Sequence, residues 1–104
     1  MVNPLSGEVS VAIDGRSYAC KLTLGALAEL ETSLAEPSLV DLVKRFESGS
    51  YAGRDVLAVI VAGLRGGGWQ GTSEDLLSAE IENGPIGAAK VAATLLARAF
   101  TPPK

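Results

Sequence analysis

The run Gly66-Gly67-Gly68-Trp69-Gln70-Gly71 spells G-x-G-x-x-G, the pattern whose glycines let a pyrophosphate approach the backbone where a strand turns into a helix. Here it follows an apolar stretch of helical character rather than a strand. No strand–helix–strand unit surrounds it, so a dinucleotide site lacks its scaffold. A P-loop would need Lys and then Ser or Thr after the glycine turn, where Trp69 stands instead. Gly49-Ser50-Tyr51-Ala52-Gly53 has the outline of a nucleophile elbow, but Tyr51 occupies the nucleophile's position and no strand leads into it. The chain has no histidine and one cysteine, Cys20. That removes the commonest general base and zinc ligand and leaves no thiolate pair for a metal. The neighbouring acids Glu29/Glu31, Glu74/Asp75 and Glu80/Glu82 fall on the polar faces of expected helices, where solvated charge is their ordinary role. The expectation is no enzyme, no cofactor and no metal. A small-molecule enzyme is the remote alternative, resting on the glycine pattern alone.

Binding is the better question to ask of the remaining side chains. Trp69, the only tryptophan, sits in the glycine-rich loop, where it either tucks back to seal the core or stands out as an interface anchor. Arg65 either compensates the C-terminal dipole of the helix before it or borders a contact. Cys20 shares a face with apolar neighbours and reads as a packed small hydrophobe rather than a reactive thiol.

These residues must be carried by a few elements. Asp14-Gly15 suits the two positive φ angles of a type I′ turn and predicts a hairpin over residues 7–22. A two-residue turn pairs Ile13 with Arg16, Val11 with Tyr18 and Val9 with Cys20. Val9, Val11, Ile13, Tyr18, Cys20 and Leu22 then share one face, and Ser10, Ala12, Ser17 and Ala19 the other. A lone hairpin is marginal, so helices must cover its apolar side.

Thr23 caps a first helix (24–34) with Leu24, Leu27, Leu30 and Leu34 at helical spacing, ending near Pro37. Ser38 with Asp41 caps a second (38–48) that buries Leu39, Leu42, Val43 and Phe46 and stops at Gly49. The third (53–65) has no charged or hydrogen-bonding side chain between Val56 and Leu64 and is expected at the centre. Thr72 with Asp75 caps a fourth, weakly amphipathic helix (73–82). Pro85 opens a fifth (85–100), and Pro102-Pro103 close the chain. The fifth helix carries two apolar stripes, Ile86/Ala89/Ala93/Leu96/Phe100 and Ala88/Ala92/Leu95/Ala99, with Lys90, Thr94 and Arg98 as a polar ridge. A domain this small has room for about one helix buried on most sides. Either the third and fifth helices pack on each other, or part of one faces a partner.

With 104 residues, 47% of them hydrophobic, the chain is expected to form one α+β domain over 1–104, the hairpin packed against about five helices. One cysteine fits a reducing compartment. The N-terminus lacks a signal peptide's pattern, and the longest apolar run, Val56 to Leu64, is too short for a bilayer. The expected location is cytoplasmic. A net charge of −3 with scattered Lys and Arg predicts neither nucleic acid nor membrane as a partner.

Two stretches carry a resemblance. Leu22-Thr23-Leu24-Gly25-Ala26-Leu27-Ala28-Glu29-Leu30-Glu31 follows a short hairpin, and Arg54-Asp55-Val56-Leu57 leads to Ala62-Gly63-Leu64-Arg65-Gly66-Gly67-Gly68. In this order and spacing the chain resembles the small proteins encoded among the tail genes of gene transfer agents and related tailed phages, assigned as tail assembly chaperones and also labelled tail tube proteins. The resemblance covers nearly the whole chain. It implies a protein that binds the tape measure protein in the producing cell, keeps it soluble and helps tail tube subunits assemble round it. The alternative is a structural tail component, and a homo-oligomer stays open. The resemblance brings no residue-level binding motif. Combined with the two apolar helices, it suggests a protein-binding surface anchored by Trp69 and Phe100, supported by Leu96 and rimmed by Arg65 or Arg98.

Overall fold

The computed structural model describes residues 7–33 and 38–100. Strands β1 (Val9–Ile13) and β2 (Arg16–Cys20) form the antiparallel hairpin that Asp14-Gly15 calls for. Asp14 (φ 50°) and Gly15 (φ 82°) both take the left-handed backbone of a type I′ turn. The register pairs Val9 with Cys20, Val11 with Tyr18 and Ile13 with Arg16, as expected. Val9, Val11, Ile13, Cys20 and Leu22 are buried, with Tyr18 half-buried beside them.

Five helices follow: α1 (Leu24–Ser33), α2 (Leu39–Ser48), α3 (Gly53–Gly66), α4 (Ser73–Leu76) and α5 (Gly84–Phe100). Local chemistry sets their ends. The Thr23 hydroxyl accepts from the Ala26 N–H at 3.1 Å, and the Ser38 hydroxyl accepts from the Val40 and Asp41 N–H groups at 3.1 and 3.4 Å. Gly49 ends α2 at φ 78°, a conformation that glycine takes without a Cβ clash. Asp55, in the first turn of α3, accepts from the Ala52 N–H at 2.8 Å and from Arg45 of α2 at 3.0 and 3.3 Å. One buried carboxylate thus satisfies an orphan donor of α3 and clamps the end of α2 to it.

α3 is central and packs against β2, α1, α4 and α5. Val59, Ile60, Ala62, Gly63 and Leu64 are buried along it. Its partner α5 runs alongside in parallel, with Gly63 level with Leu95 and Val56 near Pro85 and Ile86. At Gly63 a Cβ would lie 2.7 Å from Leu95 Cδ1, so the missing side chain lets α5 approach closely.

The chain departs from expectation at three places. The fourth helix was expected over 73–82 but is a single turn. Thr72 and Asp75 do start it, with the Thr72 N–H bonded to Asp75 Oδ2 at 2.8 Å. Beyond Leu76 the backbone instead joins the hairpin tip: Ile81 bridges Ile13, Asp14 N–H donates to Glu80 O at 2.8 Å, and Glu82 N–H to Ala12 O at 3.0 Å. Leu24, expected on the buried stripe of the first helix, is 84% exposed. It sits in the first turn, and Ala26 and Leu30 are the residues of α1 that are buried. The fifth helix, finally, buries one of its two stripes far more than the other. Leu34, Pro37 and Pro102-Pro103 lie outside the described residues.

Candidate docking surface

The glycine-rich loop has a packing explanation. Lys21 N–H donates to Gly63 O at 2.9 Å, so the last turn of α3 lies directly on the chain leaving β2. A Cβ on Gly66 would stand 2.0 Å from Lys21 O, and one on Gly67 2.1 Å from Ala19 O. Backbone touches backbone there, and no side chain fits. Gly71 does the same for Trp69, whose indole Cζ2 would meet a Gly71 Cβ at 2.1 Å. The loop is thus spent on packing α3 against the hairpin and seating an indole. Among the described residues no group of His, Cys, Asp or Glu could hold a metal, and no helix is long and apolar enough to cross a membrane.

The five residues singled out in the sequence lie in different settings. Trp69 is half-buried against the core, and its backbone N–H donates to Leu64 O at 2.9 Å. Arg65 Nε donates to Glu29 Oε1 at 2.8 Å and Nη1 to Gly71 O at 3.1 Å, tying α1, α3 and the loop together. Arg98 donates to the Glu8 carbonyl and ties α5 to the start of the hairpin. Leu96 is only 2% exposed and serves as floor, whereas Phe100 is 45% exposed. Arg65 and Arg98 therefore hold the fold together at the surface, and Phe100 is the most open of the aromatic pair.

α5 separates the two readings offered by its stripes. Ala88, Ala92 and Leu95 are buried against α3 and the hairpin. Of the other stripe Leu96 is covered, but Ile86 is 72% exposed and Ala93 and Phe100 are exposed with it. Lys90 lies on the same open sector. Beside it α2 and the α2–α3 loop contribute Val43, Phe46 and Tyr51, the two rings stacked at a centroid distance of 4.7 Å.

Two hollows result. One, of about 280 Å³, lies between Tyr51, Val56, Pro85 and Ile86; the other, of about 150 Å³, between Val43, Phe46, Ala93 and Leu96. Both fall below the usual size of a small-molecule site, and their apolar walls suit single side chains of a protein partner. Sequence reasoning missed Tyr51 and Phe46 here. It placed Phe46 in the core and met Tyr51 only in a failed nucleophile motif.

The model of the phage tail tube protein, GTA-gp10 family matches residues 6–101. The chain belongs to that family. No curated protein and no solved structure matches it significantly. Membership assigns a phage or gene transfer agent tail role and places the chain among tail components rather than in an enzyme family. In this member of the GTA-gp10 family α5 leaves apolar surface open, and the hairpin is bonded to residues 80–82 at its tip and to α3 just beyond β2.

Proposed function

We propose that this chain acts during tail assembly as a chaperone, binding the tape measure protein in the cytoplasm of the producing cell rather than forming the tube wall. The observation that carries this reading is how little strand the described residues hold. A tube wall built of extended sheets needs strand edges free to pair between subunits. Here residues 80–82 occupy the tip end of β1 through Ala12 and Asp14, and the chain leaving β2 is bonded to α3 through Lys21 and Gly63. Among the described residues there is one two-stranded sheet and no other. The apolar surface that stands open on α5 is suited to an apolar stripe on another helix.

A free tape measure, long and amphipathic, would expose such stripes until the tube encloses it, and a small helical protein can cover them reversibly. Coexpression tests this: the tape measure is expected to be soluble and to copurify with this chain, and to precipitate without it. Equal solubility with no copurification would remove the reading. The family's description as a tail tube protein favours a second one, a structural tail component. Under that reading mature tails contain many copies of the chain, whereas the chaperone reading expects few or none.

A further inference from the structure

Independently of what the chain assembles with, we infer that it forms a parallel homodimer, the exposed stripe of α5 in one copy packed against the same stripe in a second. The spacing of the stripe is the first ground. Beyond Pro85 the exposed residues of α5 are Ile86, Lys90, Ala93, Ala97, Arg98 and Phe100. Apart from Arg98, which donates to the Glu8 carbonyl, they recur at steps of four, three, four and three. That is the repeat that keeps a seam turned toward a second helix, here over two heptads. Ile86 and Phe100 stand at the two ends and alanines lie between them, so two copies approach closely in the middle and pair large side chains at the ends. A lone lysine in such a seam lowers stability and fixes register.

Charge sets the orientation. On one flank of the stripe α2 closes over Leu96 and brings Glu47 to the border of Ala93 and Ala97. On the other flank runs the ridge of Lys90, Thr94 and Arg98, held toward the start of the hairpin. A two-fold axis along the seam lays the ridge of each copy on the α2 flank of the other. Lys90 then faces Glu47 of the second copy, offset along α5 by roughly 5–10 Å at about 1.5 Å per residue, a gap for two long side chains to span. Neither residue makes an ion pair among the described residues. Antiparallel pairing would set ridge on ridge and α2 on α2, with cations against cations. The patch is complementary to itself: it supplies the cation and the acid that it calls for, and symmetry forms the pair twice. A client helix at this surface must displace the second copy.

Sedimentation equilibrium of the chain alone tests this, so its failure leaves the chaperone reading standing. Wild type is expected to pass from 10.7 kDa toward twice that mass between about 1 μM and 1 mM. Ala93→Arg changes an exposed seam residue and is expected to stay monomeric throughout while melting, when dilute, within a few degrees of wild type. Lys90→Glu and Glu47→Lys are each expected to weaken association several-fold, and the two together to restore it. Ile86→Cys is expected to give a disulfide-linked dimer on mild oxidation, because the seam sets position 86 against its own copy; buried Cys20 in wild type gives none. A wild type still monomeric at about 1 mM overturns the dimer and leaves the stripe to another helix, and undiminished association by Ala93→Arg overturns it as well. A double reversal that fails to restore association, or Ile86→Cys that fails to cross-link, overturns the parallel seam.

Discussion

Gly66→Ala places a methyl group where the backbone of the hairpin already stands. The added Cβ would lie 2.0 Å from the Lys21 carbonyl oxygen, so α3 and β2 must separate by about 1 Å or more before any ordinary contact distance is restored. The obstacle is backbone, and no rotamer change relieves it. The separation stretches the Lys21 N–H to Gly63 O bond of 2.9 Å, worth about 1 kcal/mol. Overpacking adds about 1–3 kcal/mol. Against this stands a gain of at most about 1 kcal/mol from replacing a helical glycine with alanine. The net expectation is a loss of about 1–3 kcal/mol, or a fall in Tm of about 5–20 °C for a chain of this size.

Gly53→Ala supplies the control. Gly53 also lies in α3, but its Cβ would meet nothing within 4 Å, so the same chemical change should be neutral or stabilising by up to about 1 kcal/mol. Thermal and urea melts of the two variants beside wild type decide the matter. Equal melting of Gly66→Ala and Gly53→Ala would refute the claim that the glycine loop exists to bring α3 onto the hairpin.

Four further expectations follow. Burial pulls the Asp55 pKa up, but hydrogen bonds from the Ala52 N–H and Arg45, with the charges of Arg45 and Arg54, outweigh it and hold the carboxyl below its usual value. Its stabilisation is therefore complete above about pH 4 and drains as acid carries the pH through the lowered pKa; Asp55→Asn should cost about 1–3 kcal/mol at pH 7 in urea melts and lack that acid-side fall. Burial pushes the Cys20 thiol up to about 12, so a disulfide reagent at pH 8 should label it only as fast as the core opens, and denaturant should accelerate the labelling. Gly71→Val drives a side chain into the Trp69 ring, and the indole emission should shift to the red; calorimetry with NAD, ATP or duplex DNA at physiological salt should show no micromolar binding.

The hairpin was legible in the sequence because its determinants are local. Asp14-Gly15 sets the turn, and the alternation on both sides then leaves one register that gathers the apolar side chains. Helix starts at Thr23 and Ser38 and the stop at Gly49 were legible for the same reason. Residues 77–82 were not, since Leu77, Ala79 and Ile81 alternate as well as they follow a helix. The choice is made by partners far along the chain. Asp14 takes the Glu80 backbone with both its N–H and its carboxylate, and the Ala12 carbonyl takes Glu82. No window of local sequence contains those bonds.

The same limit governed the docking surface. Two apolar stripes on one helix can be read from spacing, but which stripe faces inward depends on where α3 and the hairpin stand. Gly63 decides it: the missing side chain admits Leu95, and Leu95 draws Ala88 and Ala92 inward with it. Phe46 and Val43 of α2 then close over Leu96, and the cover stops there, leaving Ile86, Ala93 and Phe100 open. An apolar sector wider than the polar ridge of Lys90, Thr94 and Arg98 has no explanation within the fold of one chain. Burial by a partner supplies one: Ile86, 72% exposed, stands to gain most of the roughly 1.5–3 kcal/mol of a full burial and Phe100, 45% exposed, about half of it, and the two lie about four turns apart on a single helix. Contact along that whole length needs a partner element as long and as straight as α5 itself, which is the physical ground for reading the occupant as a helix rather than a loop.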